Sequence, residues 1–356
     1  MKKVAVNFVH GYNDDNIILL KEKYPALLIL DNKDKEILSY PFPRNVEDYN
    51  KYDSVINGIP PLQTAKNFKK LPRFGFTGIT QDNEFLYSGS WNGVYKISKE
   101  NYQLDSIISN NMMSDLHGIC IHEDEIITIL TGKDTVVFTD QSGEIKDHFT
   151  INTDLSISKN TELESVDWRF LSKQFRGSTG NWHFNYVQII GDEVWLTARN
   201  TNCFVVVDRK TKKSRLKMMN LCTPALLHDG KYYSEEFYFT SIDGKIIIAG
   251  EELKSNYDRN NYEITGVSQY NRDLVSQTIR IQETSYGKKP NWCRGIEIYE
   301  DRIFCTIDGR YDSDLSFGIL ELNRTGKAEE MTRLKWDEVG SADDIRYVTG
   351  FDLLKL

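Results

Sequence analysis

The chain has 356 residues, of which 40% are hydrophobic and 12% aromatic, with a formal net charge of −8 at pH 7. That is enough apolar material for a sizeable core and too much for a disordered chain; with only 8 prolines and no Pro/Gly/Ser-rich linker, one domain over 1–356 is favoured over two. The acidic balance, with Lys and Arg spread thinly, argues against nucleic acid or an anionic membrane as partner.

The chain opens basic, Met1-Lys2-Lys3, but leads into no long apolar run, so it reads as neither a secretion signal nor a membrane anchor. Strand-like runs follow at Val4–Val9, Ile17–Leu20, Ala26–Leu30 and Ile37–Tyr40. From Phe76 onward, short runs rich in Val, Ile, Tyr, Phe and Thr come in groups of four, separated by turn signals. The first group is Phe76–Ile79, Glu84–Ser88, Gly93–Ile97 and Asp105–Ile108. The second is Leu116–Ile121, Glu125–Leu130, Thr135–Thr139 and Glu144–Phe149. Gly78 and Gly118 stand about forty residues apart, the period of a four-stranded propeller blade.

Looser groups run through Asn185–Ile190, Glu193–Thr197, Cys203–Val207 and Ser214–Met218, and then from Glu236-Phe237-Tyr238-Phe239 through Lys245–Ala249. A clear group follows at Arg294–Ile298, Arg302–Ile307, Phe317–Leu322 and Glu330–Leu334. Val348–Leu353 has the pattern of a first strand with no blade after it, and the N-terminal runs lack one. Joining the two closes the ring and removes the exposed sheet edges. The expected fold is an all-β propeller of six four-stranded blades, closed by the C-terminal strand. Five or seven blades remain open, because Met219–Glu235 lacks a clean strand-and-turn pattern.

The motifs Asp115-Leu116-His117-Gly118-Ile119, Arg294-Gly295-Ile296 and Thr349-Gly350-Phe351 resemble first-strand motifs in six-bladed propellers of the NHL, gluconolactonase and arylsulfotransferase kind. The resemblance implies architecture and no particular activity.

In a propeller the first strand of each blade lines the channel. Aligning the groups by the turn after that strand places Thr77, His117, Asn185, Glu236, Arg294 and Thr349 at the mouth, with His183 competing with Asn185, and Glu235 with Glu236. Arg294 suits an anionic ligand group, its plainer role being an ion pair to Glu236 or Glu297. His117 is the natural proton carrier, with His183 as a second base and Glu236 orienting or assisting. His228, in Leu227-His228-Asp229-Gly230, reads as a turn. The residues name no cofactor. A divalent ion on His117, His183 and Glu236 is disfavoured by Arg294 beside them and by the lack of any short ligand spacing. The five cysteines, Cys120, Cys203, Cys222, Cys293 and Cys305, show no C-x-x-C spacing and fit a reducing cytoplasm.

The long connections 41–73, 152–182, 220–234 and 283–293, with 251–261 and 309–316, are expected on one face. Trp91, Arg310 and Tyr311 belong to that side and join Thr77, Asn185 and Thr349 as expected ligand contacts. Two functions fit. One is an enzyme acting on a polar or anionic small molecule or peptide, with His117, Arg294, Glu236 and His183 as its catalytic set. The other is a non-catalytic scaffold that grips a protein partner with the loop-rich face.

Overall fold

The computed structural model describes residues 3–12, 25–31, 38–41, 74–90, 93–159, 161–166, 168, 182–199, 201, 203–220, 227–233, 236–241, 245–250, 271–280, 292–308, 316–323, 328–335 and 345–356. The chain begins with β1 (Lys3–Tyr12), β2 (Pro25–Asp31), β3 (Leu38–Pro41) and the short β4 (Phe74–Gly75). An antiparallel meander follows in β5 (Ile79–Gln81), β6 (Phe85–Gly89), β7 (Val94–Ser98) and β8 (Leu104–Ile108). The next comprises β9 (Leu116–His122), β10 (Glu125–Leu130), β11 (Thr135–Thr139) and β12 (Ile145–Ile151), with β13 (Ile157–Ser158) added at its outer edge.

The following two meanders are β14 (Phe184–Ile190) to β17 (Ser214–Asn220) and β18 (Leu227–Tyr233) to β21 (Asn271–Arg280). Between their ends lie β15 (Glu193–Ala198), β16 (Cys203–Asp208), β19 (Glu236–Ser241) and β20 (Lys245–Gly250). Their last strands, β17 and β21, pair in parallel and join the two into one eight-stranded sheet. The final meander is β22 (Trp292–Tyr299), β23 (Arg302–Asp308), β24 (Ser316–Asn323) and β25 (Ala328–Lys335). Last comes β26 (Ile345–Lys355), which pairs antiparallel with β1 from Val4↔Lys355 to Tyr12↔Ile345.

Among the described residues the strands form successive antiparallel meanders, two of them joined in one eight-stranded sheet, and the N-terminal one takes its inner strand from the C-terminus. The inner strands β5, β9, β14, β18, β22 and β26 each pack on the next, and β26 returns onto β5. This closed ring of antiparallel sheets is a β-propeller. The middle strands read as continuous apolar runs, not as alternating ones, because neighbouring sheets cover both of their faces. Thr135–Thr139 is buried at every position, and Ile126–Leu130 likewise. Between units the packing is aliphatic or aromatic by turns. Ile127, Ile129 and Phe138 meet Val187, Leu196 and Val205, whereas Trp195 and Phe204 meet Phe237 and Phe239.

Glycine lets the inner strands approach closely. A Cβ on Gly118 would lie 3.0 Å from the Asn185 carbonyl oxygen and 3.1 Å from Tyr186 Cα. A Cβ on Gly295 would lie 2.8 Å from Asp352 Cα. Both gaps are backbone against backbone, so no side-chain movement relieves them.

Two expectations need correcting. The fifth unit does not begin at Glu236, which opens a second strand; its first strand is β18, and it occupies much of the expected loop 220–234. In β26 the bulge between Asn7 and Phe8 places Gly350 opposite Phe8 and Asp352 opposite Asn7. Asp352, not Gly350, therefore sits level with Gly295, and Thr349 falls two residues early. The expected strand Ile17–Leu20 lies outside the described residues. Among the described residues no helix is long and apolar enough to cross a membrane.

Candidate functional site

The close approaches of Gly118 to Tyr186 and of Gly295 to Asp352 fix a common level around the ring. The position just before that level is filled by Thr77, His117, Asn185, His228 and Arg294 in five successive units. Thr77 is a stitch: its hydroxyl donates to the Leu116 carbonyl at 2.6 Å, tying one inner strand to the next.

The next three residues form a chain. His117 Nδ1 lies 3.0 Å from Asn185 Oδ1, and Asn185 Nδ2 lies 3.3 Å from His228 Nδ1. An amide oxygen only accepts and an amide nitrogen only donates. His117 therefore carries a proton on Nδ1, and His228 presents a bare Nδ1 and carries its proton on Nε2. The other ring nitrogen of His117, Nε2, is 3.4 Å from Asp115 Oδ1. His183 meets His117 edge to face at 5.6 Å between ring centres, and its Nε2 is 3.5 Å from Arg199 Nη1.

Burial and the surrounding cations set the charge states. Burial first, then His117, Arg199 and Arg294, push His183 down to about 3. Burial, followed by Arg294, Arg199, His183 and His117, holds His228 well below the ordinary imidazole range. Both rings are neutral at pH 7.

A second charged layer lies just along the same strands. It holds Asp229, Lys231, Glu297 and Asp352, with Lys231 Nζ 3.4 Å from Glu297 Oε2 and 4.7 Å from the Tyr186 ring centre. Asp352 Oδ2 accepts the Ile79 N–H at 3.0 Å, while Asp229 Oδ2 is buried without a hydrogen-bond partner. Burial raises both carboxyls, Asp352 raises Asp229 further, and Arg294 opposes the rise in each. Arg294, 6% exposed, acts electrostatically on both layers.

A carboxyl raised in the folded state contributes stability that is complete at low pH and lost as pH rises through its folded value. Asp229→Asn should therefore stabilise the protein at pH 8, on the order of 1 kcal/mol, and give no gain at pH 3. Chemical denaturation at the two pH values checks this, and an equal effect at both would contradict it.

The structure thus brings His117, His183, Asn185 and Arg294 together and keeps Glu236 apart, where it accepts the Tyr238 hydroxyl at 2.5 Å. Among the described residues no group of three His, Cys, Asp or Glu side chains is placed to hold a metal ion, His117, His183 and Glu236 included. Of Thr349 the strand position alone is described, opposite Val9. Trp91, Arg310 and Tyr311 lie outside the described residues. Asp115, Arg199 and His228 are the additions that sequence reasoning missed. For His228 a signal existed: Leu227-His228-Asp229 matches Leu116-His117-Gly118, and the Asp-Gly pair that follows masked it as a turn.

No protein-family model and no curated protein sequence matches the chain. Among solved structures, a catalytically inactive virginiamycin B lyase from Staphylococcus aureus with quinupristin is similar at 14% identity and a TM-score of 0.42, covering 74% of this chain and 70% of its own. A member of the DUF4221 family from Bacteroides vulgatus is similar at 12% identity and a TM-score of 0.44, covering 74% and 81%. Neither carries a residue role over to this chain.

Proposed function

We propose that the chain is a six-bladed propeller enzyme that moves a proton on a polar, anionic small molecule or peptide at the channel end lined by His117, His183, Asn185, His228, Arg199 and Arg294. The observation that carries this reading is the hydrogen-bonded series His117–Asn185–His228, which crosses three inner strands, with Asp115 Oδ1 3.4 Å from the other ring nitrogen of His117. A channel that only needed to stay wet has no use for that order. In this reading His183, neutral and edge-on to His117, is the base. His117, with Asp115 beside Nε2, returns the proton. Arg294 and Arg199 hold the anionic group and stabilise charge that develops on an oxygen. The free thiols of Cys120 and Cys203 support a reducing, cytoplasmic setting.

The test is a thermal-shift panel of phosphate, sulfate, and mono-, di- and tricarboxylates against the parent, His117→Gln and Arg294→Met. A ligand that binds only the folded state at a hundred times its Kd adds about 2.7 kcal/mol. At least one anion should raise the parent's melting temperature by several degrees and leave both variants unmoved. If no anion shifts the parent, and both variants melt as it does, the site is not a ligand site and the scaffold reading takes its place.

A further inference from the structure

We infer that Asp134 is a positioning residue for His183: its carboxylate grips the backbone at the bend that aims this imidazole at His117. The inference rests on the reading of His183 as the base, and it stands on geometry of its own. Asp134 follows the tight helical turn Thr131–Lys133 between the second and third strands of its unit, and it is 4% exposed. Its Oδ1 accepts the His183 N–H at 3.1 Å, and its Oδ2 accepts the Trp182 N–H at 3.2 Å.

The same turn holds the neighbouring strand entries. The Thr131 N–H donates to the Asp115 carbonyl at 3.1 Å, and the Thr131 hydroxyl donates to the Phe184 carbonyl at 2.6 Å. One short turn therefore touches the residue two before His117 and the residues on either side of His183. Trp182 is anchored separately, its indole N–H donating to the Asn152 carbonyl at 3.1 Å.

The bend itself is the reason a clamp is needed. His183 has φ = 53°, in the left-handed region that residues with a Cβ adopt uncommonly and at a cost. A glycine would take this bend without strain. Two hydrogen bonds from consecutive amides to one buried carboxylate are strong enough to impose it on a histidine. Asp134 touches no reacting group; it acts by fixing where the His183 ring points.

The experiment is a double-mutant cycle between Asp134→Asn and His183→Gly, followed by melting and by histidine-selective NMR. Asp134→Asn should lower the melting temperature by several degrees in the parent and by less than half as much in the His183→Gly background, where the bend is unstrained. An equal loss in both backgrounds, or failure of both Asp134→Asn chains to fold, overturns the inference.

The second readout is one that a purely structural role would leave still. The chain has 6 histidines, and the His183 ring signal is the one lost in His183→Gly. In the parent it should not titrate between pH 8 and about 5; in Asp134→Asn its midpoint should move toward the ordinary value of about 6.5. An unmoved midpoint in a folded Asp134→Asn protein also overturns the inference. If the cycle and the titration behave as expected while anions shift the His183→Gly melt as they shift the parent's, the clamp stands and the assignment of His183 as base falls.

Discussion

Deleting residues 345–356 is expected to abolish cooperative melting altogether, not to lower its midpoint. β26 is the inner strand of the unit otherwise formed by β1, β2 and β3, and it also packs on β22 and β5. Leu353 is fully buried and Leu354 is 7% exposed, each worth about 1.5–3 kcal/mol on burial. Asp352 accepts the Ile79 N–H, and the Leu356 N–H donates to the Lys3 carbonyl at 2.9 Å, so polar ties are lost as well. Without the strand, one edge of β1 is left unpaired and the inner ring is open between β22 and β5. Against a typical stability of about 5–15 kcal/mol, that loss leaves no folded ring. A milder form is Leu353→Ala, expected to cost about 2–5 kcal/mol with cooperativity kept. Far-UV circular dichroism on heating, with hydrophobic dye binding, reads both. A truncated chain that still melts sharply near the parent's temperature would mean that the ring is not held closed by β26.

The repeat was legible in the sequence because propeller sheets are covered on both faces, so Ile126–Leu130, broken by Thr128 alone, and Val205–Val207 appear as apolar runs between turn signals. The x-Gly-Ile motif at residues 77–79, 117–119 and 294–296 was legible for a different reason. It marks the level at which inner strands come too close for a Cβ, with Thr77, His117 and Arg294 each one residue before it. The reading failed where another residue fills that level. Asp229 stands there in the fifth unit and Asp352 in the closing strand, so His228 passed for a turn residue and Thr349 for a mouth residue. Those substitutions are themselves informative, since of the three positions that lack the glycine, Tyr186, Asp229 and Asp352, the last two hold the buried carboxyl pair. What no pattern could supply is the chemistry between strands. Arg199 and Asp134 reach His183 across distances in the chain that the fold alone removes.

Acidification below pH 6.5 should cost the protein stability before the lowered carboxylates Asp82 and Asp147 begin to titrate. His183 and His228 are neutral in the folded state, with values pushed below the ordinary 6.5, to about 3 for His183. In the unfolded chain both return to about 6.5, so below that pH the unfolded state binds protons that the native state refuses. Their stabilising contribution is complete above 6.5 and is lost as pH falls toward the folded values. The limiting slope is about 1.4 kcal/mol per pH unit for each ring, or roughly 2–3 kcal/mol for His183 between pH 6.5 and 4.5. Asp82 and Asp147 also have lowered values, but they start from 3.8, so their loss falls in a separate, more acidic window. Asp229 and Asp352 run the other way, because raised carboxyls give back stability as they protonate. Their gain partly hides the histidine loss. The acid limb should therefore be steeper in Asp229→Asn than in the parent, and shallower in His228→Gln than in either. Urea midpoints at half-unit steps from pH 8 to 4 decide the matter. A curve flat to pH 4.5 in the Asp229→Asn background would show that the two imidazoles are not held neutral, and with that the base assigned to His183 loses its physical ground.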